Sequence, residues 1–157
     1  MAIVENALTE KCIKINRTAK VVKGGRRFSL SGHVVVGDEN GKVGFGSGKG
    51  KDVASALKQA ITSAKLSMKE VALNEGTLPY PVSYKFNATK IIMFPAAPGT
   101  GIIAGGAMRA VFEVVGVKNV MAKVHGSTNP INVAKATLYA LYSMKSPSYI
   151  KNKLKAA

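Results

Sequence analysis

Two runs of alternating apolar and polar residues flank Gly24-Gly25, and that pairing constrains the fold more than any other stretch. Ile13, Ile15, Ala19 and Val21 fall on one side of a two-residue period, while Lys14, Asn16, Thr18 and Lys20 fall on the other. Past the glycines, Phe28, Leu30, Val34 and Val36 alternate with Ser29, Ser31 and His33. A period of two marks half-buried strands, and paired glycines permit the positive φ and close backbone approach of a tight turn. A long hairpin is expected. Gly37-Asp38-Glu39-Asn40-Gly41 supplies a second turn, and Val43 with Phe45 a third strand, which completes an antiparallel meander. Residues 1–10 carry no period and read as a loose arm.

Cations crowd the hairpin end, with Lys20, Lys23, Arg26 and Arg27 around the glycines. Like charges held together cost folding energy. A nucleic-acid backbone that neutralises them accounts for the crowding better than a bare solvated turn. Charge along the rest of the chain, +15 in all, points the same way: ten Lys or Arg between Lys11 and Lys51 stand against Asp38 and Glu39, and ten from Lys85 onward stand against Glu113 alone. Two basic regions describe a protein embedded in polyanion rather than touching it at one patch.

Gly44-Phe45-Gly46-Ser47-Gly48-Lys49-Gly50-Lys51 reads as a glycine-rich approach to a helix capped by Asp52. Val53, Leu57, Ile61, Ala64 and Met68 form that helix's apolar stripe. Free amides at its start, beside Lys49 and Lys51, are suited to phosphate. Asn74 to Pro81, with two prolines, marks a domain boundary. Beyond it come a hairpin over 82–86 and 90–94, a loop from Pro95 to Gly101, and a helix on the stripe Ile103, Ala107, Val111 and Val114, ending near Gly116. A strand over Val120 to Val124 follows. Ser127-Thr128-Asn129-Pro130 then caps a last helix that buries Ile131, Ala134, Leu138 and Leu141. Lys151-Asn152-Lys153-Leu154-Lys155 reads as a solvated tail. The expected division is an arm over 1–10, domains over 11–75 and 76–146, and a basic tail over 147–157, in an α+β fold.

Other chemistries lack support. Cys12 is the only cysteine, so no internal disulfide can form; without a signal-peptide pattern at the N-terminus, the expectation is a cytoplasmic protein. Ile91 to Met108 spans 18 uncharged residues, but Pro95, Pro98 and four glycines would break a membrane helix. No Gly-x4-Gly-Lys-Ser/Thr loop occurs. Gly99, Gly101 and Ala104 fit a loose dinucleotide pattern but lack the downstream acid. His33 and His125 are isolated imidazoles and the carboxylates are scattered, which argues against a metal site, a nucleophile relay or an acid/base pair. His33 reads as a surface histidine. No cofactor is expected. With no Trp and few aromatic rings, recognition of folded RNA through shape and phosphate fits better than base stacking.

Seven blocks then fall in a recognisable order: Asn16-Arg17, Val22-Lys23-Gly24-Gly25-Arg26, Val35-Val36-Gly37-Asp38, Gly41 to Gly46, Gly99 to Gly106, Arg109-Ala110-Val111, and Gly126 to Val133. On these blocks the chain resembles, nearly end to end, the family of the fifth protein of the bacterial small (30S) ribosomal subunit. The resemblance implies an N-terminal βββα domain similar to double-stranded-RNA-binding folds and a C-terminal ββαβα domain of left-handed βαβ type. It implies a structural, non-enzymatic role in translation within the cytoplasmic 30S subunit. Its implied partners are small-subunit ribosomal RNA, small-subunit proteins four and eight, and messenger RNA near the channel through which it enters. Lys14, Lys20, Lys23, Gly24, Gly25, Arg26, Arg27, Lys49 and Lys51 are the expected rRNA-binding residues, with the hairpin near the spectinomycin site. Gly101, Arg109 and Asn129 are the expected ribosomal-protein interface, the first two toward protein four, where changes alter decoding accuracy. Ser47 replaces a Tyr common in the family, and Ala97-Pro98 replaces a Ser-Glu. The second half also resembles small-molecule kinases in fold, with Pro95 to Gly101 as a faint phosphate-loop match; an enzyme is therefore the competing reading.

Overall fold

The structure, a computed structural model, describes residues 7–155. Most of the expected N-terminal arm lies outside them, but Thr9 and Glu10 already pair with Gly37 and Val36 as strand. Strands β1 (Thr9–Val22), β2 (Gly25–Gly37) and β3 (Lys42–Gly50), helix α1 (Val53–Leu66) and the short β4 (Lys69–Glu70) make the first half. Its antiparallel sheet runs β1-β2-β3-β4. The second half comprises β5 (Val82–Phe86), β6 (Thr89–Pro95), β7 (Ile102–Ile103), α2 (Gly106–Val115), β8 (Val120–Gly126), α3 (Pro130–Ser143) and α4 (Pro147–Lys155). Here the sheet order is β5-β6-β8-β7, and β7 with β8 is the one parallel pair. The fold is α+β, strand-rich first and βαβ-containing second.

Val22 pairs with Gly25, which leaves Lys23-Gly24 as a two-residue loop. Only Gly25, at φ +136, takes the left-handed region there. The ladder between β2 and β3 stops at Leu30 opposite Gly50. Beyond that point the first hairpin continues as a two-stranded arm.

The stretch from Gly44 to Gly50 is a strand, not a loop. Its even-numbered glycines face α1, and a Cβ on Gly44, Gly46 or Gly48 would sit well under 3.0 Å from the backbone of Ala64, Ala60 or Ala56. Those three alanines are the fully buried residues of α1. Val53, expected on the buried stripe, is 43% exposed. Bare glycines on β3 bring the helix axis close to the sheet, so alanines fill the gap and larger side chains are pushed to its sides.

On the opposite face of the same sheet, Val35, Val43 and Val71 join one continuous core with Met108, Val111, Phe112, Val114, Leu138 and Leu141 of the second half. The two halves therefore share a hydrophobic core. Tyr142 donates its hydroxyl to the Val43 carbonyl at 2.8 Å, and Lys11 pairs with Glu113 across the same seam.

Ile103 is not on the α2 stripe: it pairs with Met121 as part of β7 and is 53% exposed. Gly101 at φ +75 and the extended Gly105 before the helix delay its start, whereas a 3.6-residue pattern extends upstream without notice of such breaks. The uncharged stretch from Ile91 to Met108 resolves into β6, a loop, β7 and the start of α2. Among the described residues no helix is long and apolar enough to cross a membrane. The basic tail is helical in α4, with no buried residue.

Gly46→Ala forces a methyl into the α1 backbone and is expected to cost about 3 kcal/mol, whereas Gly24→Ala meets nothing within 4 Å and should stay within about 0.5 kcal/mol of the parent. Urea denaturation of both variants checks the contrast. A fragment of residues 1–76 exposes Val35 and Val43. At about 1.5–3 kcal/mol per uncovered large apolar side chain, against a usual total of about 5–15 kcal/mol, it should show no cooperative thermal transition by circular dichroism.

Candidate nucleic-acid interface

Register sorts the cations. Lys14 opposes His33, Asn16 opposes Ser31, Thr18 opposes Ser29 and Lys20 opposes Arg27; Ser31 and His33 in turn oppose Lys49 and Ser47. Directly opposed residues share a face. Lys14, Lys20, Arg27 and Lys49 therefore lie together on the face away from α1, among Asn16, Thr18, Ser29, Ser31 and Ser47. The second half covers this face only at the Val35 and Val43 end. No Asp or Glu occurs between Lys11 and Gly37, so β1 and β2 contribute no carboxylate to it from that stretch.

The remaining expected RNA contacts sit elsewhere. Arg26 pairs with Val21 on the α1 side of the arm, and Lys23 and Gly24 form the loop at its tip. Lys51 is exposed in the bend before α1, where Ser55 Oγ accepts the N–H of Asp52 at 3.3 Å. The Lys49 N–H donates to Gln59 Oε1 at 2.8 Å, so that amide is not free for phosphate. Among the described residues, the three ion pairs are Lys11–Glu113, Lys42–Glu70 and Lys65–Glu10. None uses a cation of the arm.

Three features of this surface escape a reading of the sequence. The Arg17 guanidinium lies 3.9 Å from the centre of the Phe28 ring. His33 is half-buried rather than a surface histidine. It stacks on Phe45 with ring centres 6.1 Å apart and planes 16° apart, with Nε2 at 3.2 Å from Ser31 Oγ and Nδ1 buried without a partner. Burial, with a smaller contribution from Lys135, holds the His33 pKa below the ordinary imidazole value. It thus enters the basic face as a neutral group. Lys135, from α3, approaches Phe45 and Phe86 at 5.5 and 6.0 Å from their ring centres. A pattern of i, i+2 spacings predicts a face but not which distant helix meets it.

Gly101 and Arg109 are brought together by β7: Arg109 donates from Nη2 to the Ile102 carbonyl at 2.8 Å. Asn119 Oδ1 accepts the Gly101 N–H at 3.0 Å, and the Thr100 N–H donates to Ala97. With two of its amides engaged, the Gly99 to Gly101 loop is a poor cradle for a nucleotide phosphate. Asn129 stands apart, past the far end of β8, where its side chain accepts the Ile131 N–H at 3.1 Å and starts α3.

Comparison with known proteins covers both halves. Residues 8–72 match the family model for ribosomal protein S5, N-terminal domain, and residues 84–154 that for ribosomal protein S5, C-terminal domain. The chain is 54% identical over 148 residues to the small ribosomal subunit protein uS5 of Vibrio cholerae, covering 94% of this chain and 89% of the relative. It is 56% identical over 146 residues to that of Aliivibrio fischeri, covering 93% and 88%. Against that of Buchnera aphidicola it is 56% identical over 154 residues, covering 96% and 90%.

Because the native state disfavours protonated His33, its contribution costs stability only in acid. Above the ordinary imidazole value near pH 6.5 both states carry a neutral ring, and below it the unfolded chain binds the proton more readily. The stability of the parent relative to His33→Gln should therefore decline as pH falls from 6.5 toward 5, measured by urea denaturation across that window.

Proposed function

The chain belongs to the ribosomal protein S5 family, and from that premise we propose that it is a structural, non-catalytic component of the small ribosomal subunit that binds small-subunit ribosomal RNA. One observation carries the reading: an uncovered sheet face and a projecting hairpin hold Lys14, Lys20, Lys23, Arg26, Arg27 and Lys49 outside every ion pair of the described residues. Like charges held this close repel one another, and a polyanion laid against them removes that cost. RNA phosphates meet that requirement, and the Ser, Thr and Asn side chains between the cations suit 2′-hydroxyls and phosphate oxygens. Gly24, with no Cβ, and Gly25, in its left-handed conformation, let the arm's tip approach a backbone closely. Lys51 adds charge at the far end of β3.

The same reading assigns the β7 edge, with Gly101 and Arg109, to contact with small-subunit protein four, and takes protein eight as a second neighbour. Asn129, past the opposite end of β8, contributes to the protein interface through α3, which it caps. The arm lies beside the spectinomycin site and the body borders the channel through which messenger RNA enters; changes at the β7 edge, which faces protein four, alter decoding accuracy. The location is the cytoplasmic 30S subunit.

Binding to deproteinised small-subunit ribosomal RNA, measured by filter retention between 50 and 300 mM KCl, tests the core of this reading. The log–log slope should shallow by roughly 0.7–0.9 for each phosphate that is no longer neutralised, so Lys20→Gln with Arg27→Gln should reduce it by roughly 1.5. An unchanged slope and affinity would remove the sheet face from the interface.

A further inference from the structure

We infer that Phe28 and Arg17 form a stacking platform for one unpaired nucleobase of an RNA strand, on the α1 side of the hairpin arm and distinct from the phosphate-binding face. The inference rests on the RNA reading above and adds a base contact to it. Phe28 is 51% exposed and Val21 78% exposed, on a part of the arm that β3 no longer flanks. A bare two-stranded ribbon is marginal in water, and Arg17 is the one cation–π partner of the Phe28 ring among the described residues, which leaves half of it exposed.

Geometry favours a flat, electron-rich occupant. Ala19 is directly opposite Phe28, and the register places Arg17 diagonally on the body side of the ring, with Val21 and Arg26 on the tip side. Arg17 lies over the ring at 3.9 Å, which fixes the ring's orientation through a cation–π contact. That leaves the tip side of the ring, edged by the small Ala19 and by Val21, for a partner. Arg26 on the same face supplies a cation for the phosphate that a base carries with it. The exposed ring selects RNA over an acidic protein strand here: a base covers the ring by π-stacking while its phosphate meets Arg26, whereas carboxylates would pair with the guanidinium groups and leave the ring bare.

Phe28→Trp makes a reporter in a chain that has no other Trp. Titration of the full-length variant with deproteinised small-subunit ribosomal RNA should quench its emission saturably, and inorganic polyphosphate at matched phosphate concentration should not. Equal quenching by both, or quenching by neither, overturns the inference. In parallel, Phe28→Ala should weaken rRNA binding about tenfold with an unchanged salt slope, while Phe28→Tyr binds within about twofold of the parent; a Phe28→Ala chain that binds as the parent does also overturns it. If Phe28→Ala binds normally while Lys20→Gln with Arg27→Gln binds weakly, only the stacking platform fails. If both variants bind as the parent does, the RNA reading of the arm fails with it.

Discussion

The backbone N–H groups of Glu39 and Gly41 donate to the carbonyls of Val114 and Val115 at 3.1 and 3.0 Å. A helix ends with carbonyls that its own turns cannot satisfy, and the last two of α2 are satisfied by the turn between β2 and β3, in the other half of the chain. Gly116, at φ +93, closes the helix against Glu39 so tightly that no Cβ fits. Gly37 is equally bare where Val114 meets it. Around this interlock, Val35 and Val43 are sealed into the same core as Phe112 and Leu141. Two sheets that the chain builds separately thereby become one support.

That support decides what is left exposed. With α1 on one face of the first sheet and α2 and α3 over one end of the other, no helix among the described residues packs on the polar end of the second face or on the arm beyond Leu30. The cations concentrate there. Within the chain the arm is held by its own ladder, by Thr18 with Ser29 and by Arg17 on Phe28, and none of these neutralises its charge. In the proposed function, the second half serves RNA binding by anchoring the sheet and by bringing Lys135 to the Phe45 border.

Much of this is legible in the residues. Alternation assigns Lys14 and Lys20 to one face and Ile15, Ala19 and Val21 to the other, and the register agrees. Glycine is the main source of misreading. In Gly44 to Gly50 the absent Cβ serves the approach of Ala56, Ala60 and Ala64 rather than of phosphate, and the two uses look alike unless the glycine period of two is matched to the alanine period of four. Gly101 and Gly105 hide the late start of α2, so a helical stripe drawn on periodicity takes in Ile103, which precedes the helix. At Asn74 to Pro81 the break in pattern marks where one sheet gives way to the other. It carries no sign that the cores merge, because Val35 and Val114 are 79 positions apart in a sequence whose periodicities are local. Asn129, expected at a partner interface, has the commoner work of a helix cap in the structure.

The proposed function depends on charge that the shared core holds out for ribosomal RNA to neutralise. Sucrose-gradient sedimentation of tagged full-length chain from its host, beside a variant carrying Lys20→Gln, Lys23→Gln, Arg26→Gln and Arg27→Gln, tests that claim most directly. The parent should travel with small subunits and the variant, folded by circular dichroism, should remain near the top of the gradient. Equal incorporation of the two, or a parent that never enters the subunit fraction, would contradict it.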